Sequence, residues 1–148
     1  MTKVFMSHLH KDHASAISYI HPEYNDRFIS FPYAHYYIQR REFDFAMEGN
    51  KSSYLPESIE LLEDYSKTIW LDDDEGLIDG YIKYQLTGAH SKFHQVCWIH
   101  EEEDVIFFGE LTKFTHKFFG RRNHAAFALN ALGMIFRSSS PASQGRHD

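Results

Sequence analysis

Only one cysteine, Cys97, occurs in the 148 residues. An intrachain disulfide is therefore excluded, and with it the small secreted domain held together by disulfides. Cys97 lies in the apolar run "QVCWI" and reads as a buried small hydrophobe rather than a reactive thiol. Positive charge is also scarce: 15 Lys and Arg against 21 Asp and Glu give a net charge of −6 with histidines neutral. The chain as a whole thus lacks the electrostatic footprint of a nucleic-acid binder. Long apolar runs are missing too. The longest, "AAFALNALGMIF" (Ala125–Phe136), is too short to span a bilayer and is broken by Asn130. The first residues have no apolar signal-peptide core. The expectation is a soluble, cytoplasmic protein with neither nucleic acid nor a membrane as partner.

What is present suffices for a core. Apolar residues make up 43% of the chain and aromatic residues 16%, at a length typical of one domain. The domain is expected over residues 1–137, with the polar run "SSSPASQGRHD" (138–148) as a disordered tail. "KVFMS" reads as a short strand and "ASAISYI" as a short helix. "RFISF" and "HYYIQ" read as strands around the turn signal "PYA". "RREFDFAME" is helical up to Gly49. "LPESIELLEDYSK" has Pro56 in its first turn, early Glu57 and Glu60, and Ile59, Leu62 and Tyr65 on one face, and so reads as the best helix. "TIWL", "YIKYQL", "QVCWI" and "DVIFF" follow as four strands, with "DDDEGLIDG" as a solvated turn. This order predicts an α+β layered domain with a largely antiparallel sheet.

The chain is rich in histidine, with eleven. Three fall in "SHLHKDH", directly after the first strand. Alternate side chains of an extended segment share a face, so His8 and His10 can reach one ion together. Asp12 and His13 follow on the turn and can serve a second, adjacent position. Imidazole with carboxylate suits zinc, and also manganese or iron. A single loop rarely supplies a whole site. Further candidates are His90 and His94 in "TGAHSKFH", where Gly88 permits a tight turn, and Glu110 after "DVIFF", which could bridge two metals.

These segments resemble the metallo-β-lactamase superfamily. "SHLHKDH" fits its HxHxDH signature, "TGAHSKFHQV" its later histidine segment, and "FFGEL" the segment that usually reads FxGD. The middle, "YYIQRREFDFAM" with "SYLPE", is most similar to the branch of N-acyl homoserine lactone lactonases; the resemblance covers about Lys3 to Leu111. It implies a partial αβ/βα sandwich binding two zinc ions. His8, His10 and His90 would hold one ion, Asp12 and His13 would help hold the second, and Glu110 would bridge. His94 would stand behind the ligands. The implied reaction is hydrolysis of a lactone, ester or similar carbonyl by metal-activated hydroxide, with Asp12 passing a proton to the leaving group.

The sequence departs from that pattern in several places. The family has a pair of strands before its histidine motif, where this chain has only "MTKVFM". Glu110 replaces an aspartate. Lys113 stands where lactonases often carry a tyrosine. The later histidines His116, His124 and His147 follow no strand signal that would make one the final ligand. The expectation is a family member incomplete at both ends. A second reading follows from this: a truncated, catalytically impaired metal-binding domain that needs a partner chain or a homo-oligomer.

Overall fold

The computed structural model describes residues 2–49, 51–101, 104–108 and 134–136. Glu110, Lys113, His116, His124 and the tail expected over 138–148 lie outside them. Strands β1 (Lys3–Phe5), β4 (His35–Gln39) and β5 (Thr68–Leu71) run parallel, with β10 (Met134–Phe136) antiparallel on the outer side of β1. The second sheet is an antiparallel meander of β6 (Glu75–Ile78), β7 (Ile82–Leu86), β8 (Gln95–Glu101) and β9 (Asp104–Phe108). A hairpin of β2 (Ser18–Ile20) and β3 (Arg27–Ile29) stands apart. The meander is antiparallel as expected, whereas the first sheet is mixed, with two parallel pairs at its centre. Its parallel neighbours are joined by long crossovers that contain the helices, as parallel pairing demands.

Strand alternation builds two cores from one sheet. Val4, Tyr36 and Ile38 point to one face, where they pack against Phe43 and Ala46 of helix α2 (Arg40–Met47), Ile59 of α3 (Pro56–Ile59) and Leu62. Phe5, Tyr37 and Leu71 point to the other face and meet Ile78, Ile82, Tyr84, Cys97 and Ile99 of the second sheet. The order helix, sheet, sheet is three of the four layers of an αβ/βα sandwich. Cys97 is fully buried here, as its apolar run implies. Among the described residues no helix is long and apolar enough to cross a membrane.

Three local expectations are corrected. The helix expected over 55–67 is only α3 followed by a 3₁₀ turn, Glu60–Leu62. The Leu62 carbonyl, which a continuing helix would give to the amide of residue 66, instead accepts from the Thr68 hydroxyl at 2.8 Å. "ASAISYI" is not a helix. The helix α1 (Lys11–Ala14) ends at the first residue of that run, Ala14, and Ser18–Ile20 pairs with Arg27–Ile29, as the aromatic and β-branched Tyr19 and Ile20 favour. "DDDEGLIDG" contains a fifth strand, β6, because the connection to β7 shrinks to residues 79–81, with Asp79 and Gly80 at the centre of its turn. Both have positive φ (51° and 79°), as a tight hairpin requires. By contrast, α2 matches its sequence signals. The Gln39 side chain accepts from the Arg41 amide at 3.3 Å, and Gly49 closes the helix at φ 75°.

Phe5 is 2% exposed and joins the two sheets at the strand that leads into the histidine loop. Phe5→Ala should cost about 3–5 kcal/mol through lost contacts and a residual cavity. Ile69→Ala, at an exposed position on the same sheet, should cost at most about 1 kcal/mol. Urea titration checks this, and equal losses for the two variants would contradict the two-core packing.

Candidate metal centre

The site forms where the chain leaves β1 and meets the chain entering β8. The amide of Met6 still bonds to the Tyr37 carbonyl at 3.1 Å, which holds the segment in line with the sheet. The chain then bends at Ser7 and runs through an extended His10 (φ −61°, ψ 145°) into α1, for which His10 is the N-cap with no side-chain capping bond. The His10 ring is thereby left for other partners. On the facing side, Thr87 and Gly88 both donate to the His94 carbonyl, at 2.7 and 3.0 Å, closing a tight loop around His90. Gly88 has φ 58°, and a Cβ there would sit 3.3 Å from the Lys92 carbonyl oxygen, so the turn anticipated at this glycine is formed.

The two loops are joined directly. The Gln95 amide donates to the Ser7 carbonyl at 2.8 Å, and the Gln95 side-chain amide donates to the Met6 carbonyl at 2.8 Å. Glu42 on α2 accepts from the Leu9 amide at 3.2 Å, the Tyr54 hydroxyl at 3.0 Å and the Phe93 amide at 3.2 Å. Sequence reasoning missed both residues. Gln95 stands beside His94 in a segment noticed only for its histidines. Glu42 has a weak signal: it lies next to Phe43 and four residues before Ala46, on the buried face of an amphipathic helix.

His8, His10 and His90 offer ring nitrogens that all lie within 4.8 Å of one another. The His8 ring centre is 4.7 Å from that of His10 and 4.6 Å from that of His90. Nδ1 of His10 and Nε2 of His90 are 3.1 Å apart. A tetrahedral zinc with bonds of 2.0–2.1 Å has nitrogen–nitrogen edges of about 3.3 Å, so this pair is already near that spacing. Nδ1 of His8 is 3.0 Å from Ser7 Oγ, while its buried Nε2 finds no hydrogen-bond partner among the described residues. An unpaired buried polar atom is costly, and a divalent ion held with His10 and His90 would relieve it. The donor set therefore fits a metal of the zinc type.

The other sequence candidates sit around this group. The His13 ring is 4.6 Å from that of His8, and its Nε2 is 3.4 Å from Oδ2 of the exposed Asp12. His94 stands behind, 5.6 Å from His8 and 6.1 Å from His90 between ring centres, with Nδ1 2.7 Å from Thr87 Oγ1. The structure thus brings His8, His10 and His90 together, with Asp12 and His13 beside them. Glu110 lies outside the described residues.

Electrostatics keep these rings ready to bind. Burial pushes the His8 imidazole down to about 2, and the rings of His10, His13, His94 and His90 add to the effect. Burial, then His90 and His10, lowers His94 to about 4. His10 is lowered by burial and then His90, against the pull of Glu42 and Asp12. Neutral imidazole is the form that ligates. Near pH 6.5 the unfolded chain takes up protons at His8 and His94, whereas the folded chain does so only at much lower pH. The unfolded state therefore binds more protons below that point, and stability falls as pH drops. Metal-free protein should lose stability between pH 6.5 and 5, with a slope approaching about 1.4 kcal/mol per pH unit for each such histidine. Urea titrations across this interval check it, and a flat profile would contradict burial of neutral rings.

No protein-family profile matches the chain, and no curated sequence matches it significantly. Solved structures do. One, described as a probable metal-dependent hydrolase from Staphylococcus aureus, is 26% identical at a TM-score of 0.59 and covers 72% of this chain and 37% of its own. A dizinc quorum-quenching lactonase, AidC, in complex with a product is 20% identical at a TM-score of 0.51, over 72% of this chain and 40% of its own. The hydrolase AbOPH of the β-lactamase superfamily is 20% identical at 0.50, over 73% and 40%. The chain thus spans about two-fifths of the length of these proteins or less. With the helix, sheet, sheet layering and the histidine loop at the end of its first strand, the chain carries part of the metallo-β-lactamase fold that metal-dependent hydrolases share.

Proposed function

We propose that this chain is the metal-binding part of a zinc-dependent hydrolase acting on a lactone, ester or similar small carbonyl substrate. The observation that carries this reading is the meeting of His8, His10 and His90 from loops of two different sheets. The relatives named above support the reaction class, since one of them is a dizinc lactonase. A bound divalent ion lowers the pKa of water towards neutrality and polarises a carbonyl oxygen. The chain's own residues do the rest. His8, His10 and His90 would hold the ion. His13 and Asp12 stand next to that position and are the proposed ligands of a second ion, with Glu110 as the bridge that the resemblance implies. Asp12 is exposed, its Oδ2 3.4 Å from His13 Nε2, and is the group proposed to take a proton from the attacking water and hand it to the departing alkoxide.

A second reading keeps the metal and drops the chemistry: a metal-binding domain that functions only with a partner chain or as a homo-oligomer. The observation favouring it is that, among the described residues, only His8, His10 and His90 converge closely enough to hold an ion, and Asp12 and His13 complete no second such group.

Metal analysis of the purified protein, paired with hydrolysis of a panel of lactones and aryl esters, separates the two. The hydrolase reading predicts bound zinc, turnover removed by chelation and restored by zinc, and loss of both metal and turnover in His8→Ala. Zinc bound tightly without turnover would favour the second reading. Equal zinc binding by the wild type and His8→Ala would end both.

A further inference from the structure

Over residues 2–49 and 51–99, Glu42 is the buried carboxylate, with an exposure of 1%. A helix face that packs on a sheet ordinarily carries apolar side chains, and a buried carboxylate is costly unless donors surround it. The donors of Glu42 come from defined places. Oε1 accepts from the Leu9 amide, which lies between His8 and His10 in sequence. Oε2 accepts from the Phe93 amide, in the loop between His90 and His94. Oε1 also accepts from Tyr54, whose ring meets the edge of His10 with centres 4.9 Å apart. One carboxylate thus touches both ligand-bearing loops and the ring that backs a third of the ligand set. It does so from α2, a rigid element that is anchored in the core by Phe43 and Ala46.

We infer that Glu42 is a positioning residue for the metal centre, a clamp that holds the His8–His10 and His90–His94 loops at ligand spacing before any ion arrives. This rests on reading His8, His10 and His90 as metal ligands. Together with the Gln95 bonds to Ser7 and Met6, the clamp keeps His10 Nδ1 and His90 Nε2 3.1 Å apart although the two residues are 80 positions distant in sequence. Charge-assisted acceptance by both oxygens gives the clamp its strength, because each amide meets an acceptor that cannot turn away from the other. A glutamine at this position keeps the size but offers only one acceptor oxygen. Its amide group would face one of the two backbone donors, so one loop is released.

The test compares wild type, Glu42→Gln and Tyr54→Phe by three readouts. These are the zinc dissociation constant from competition with a chromophoric chelator, the visible absorption of the cobalt-loaded protein, and the unfolding midpoint of the metal-free protein. Glu42→Gln should weaken zinc binding by about 10–100-fold and alter the cobalt spectrum, as loss of a group that orients ligands does. Tyr54→Phe leaves both amide bonds in place and should cost less than about tenfold. A purely structural role would lower the unfolding midpoint and leave the cobalt spectrum unchanged, so wild-type zinc affinity and an unchanged spectrum in Glu42→Gln would overturn the inference. A wild type that binds no zinc would overturn the metal reading and the clamp with it. Amide hydrogen exchange on the metal-free wild type gives a result whether or not Glu42→Gln folds. Slow exchange at both Leu9 and Phe93 is expected, and fast exchange at both would overturn the clamp.

Discussion

The contact on which everything else depends is the junction of the segment leaving β1 with the segment entering β8. Gln95 makes it twice, once through its main-chain amide to Ser7 and once through its side chain to Met6. Gln95 and its bond to Met6 are buried, where a polar group left unpaired would cost about 1–3 kcal/mol. The first sheet is parallel at its centre and the second is an antiparallel meander, so the two have no shared ladder to align them. Their relative position along the strands is set by packing between Phe5, Tyr37 and Leu71 on one side and Ile82, Tyr84 and Cys97 on the other. Packing of apolar side chains is non-directional. The Gln95 bonds add direction, and that direction decides whether His90 faces His8 or misses it.

A cluster of histidines is a poor way to fill a protein interior. His8 and His94 are nearly or wholly buried, their protonated forms are strongly disfavoured, and Nε2 of each lacks a partner among the described residues. Such a site works against stability and is retained where it has a use. The arrangement around it is consistent with that. Ser7, Thr87 and Tyr54 each approach one of the rings, and Glu42 gathers the backbone on both sides. Rings oriented before an ion binds lose less freedom when it does, which is the physical content of preorganisation.

Much of this was legible in the sequence, for reasons that differ by element. "HYYIQ", "TIWL" and "QVCWI" read as strands because β-branched and aromatic residues dominate them, and "RREFDFAM" read as a helix because its stop at Gly49 is explicit. "SHLHKDH" announced a site because four ligand-type side chains in one short run have few other uses. The strand Glu75–Ile78 was hidden by the acidic residues before it, although its Asp79–Gly80 turn is a recognised hairpin signal. Glu42 and Gln95 were invisible for a different reason. Their partners lie 33, 51 and 89 positions away, and no local pattern of charge or hydropathy encodes contacts at that range. The first sheet's parallel pairing was likewise set by crossovers rather than by any property of a single strand.

X-ray absorption at the zinc edge of the metal-loaded protein tests the central claim most directly, because it reads the ion's own neighbours. Three imidazole nitrogens at about 2.0–2.1 Å, with the outer-shell scattering that imidazole rings give, are the expected result. That signal should drop by one ring in each of His8→Ala, His10→Ala and His90→Ala. A shell made only of oxygen, or a spectrum indifferent to these three substitutions, would contradict the account.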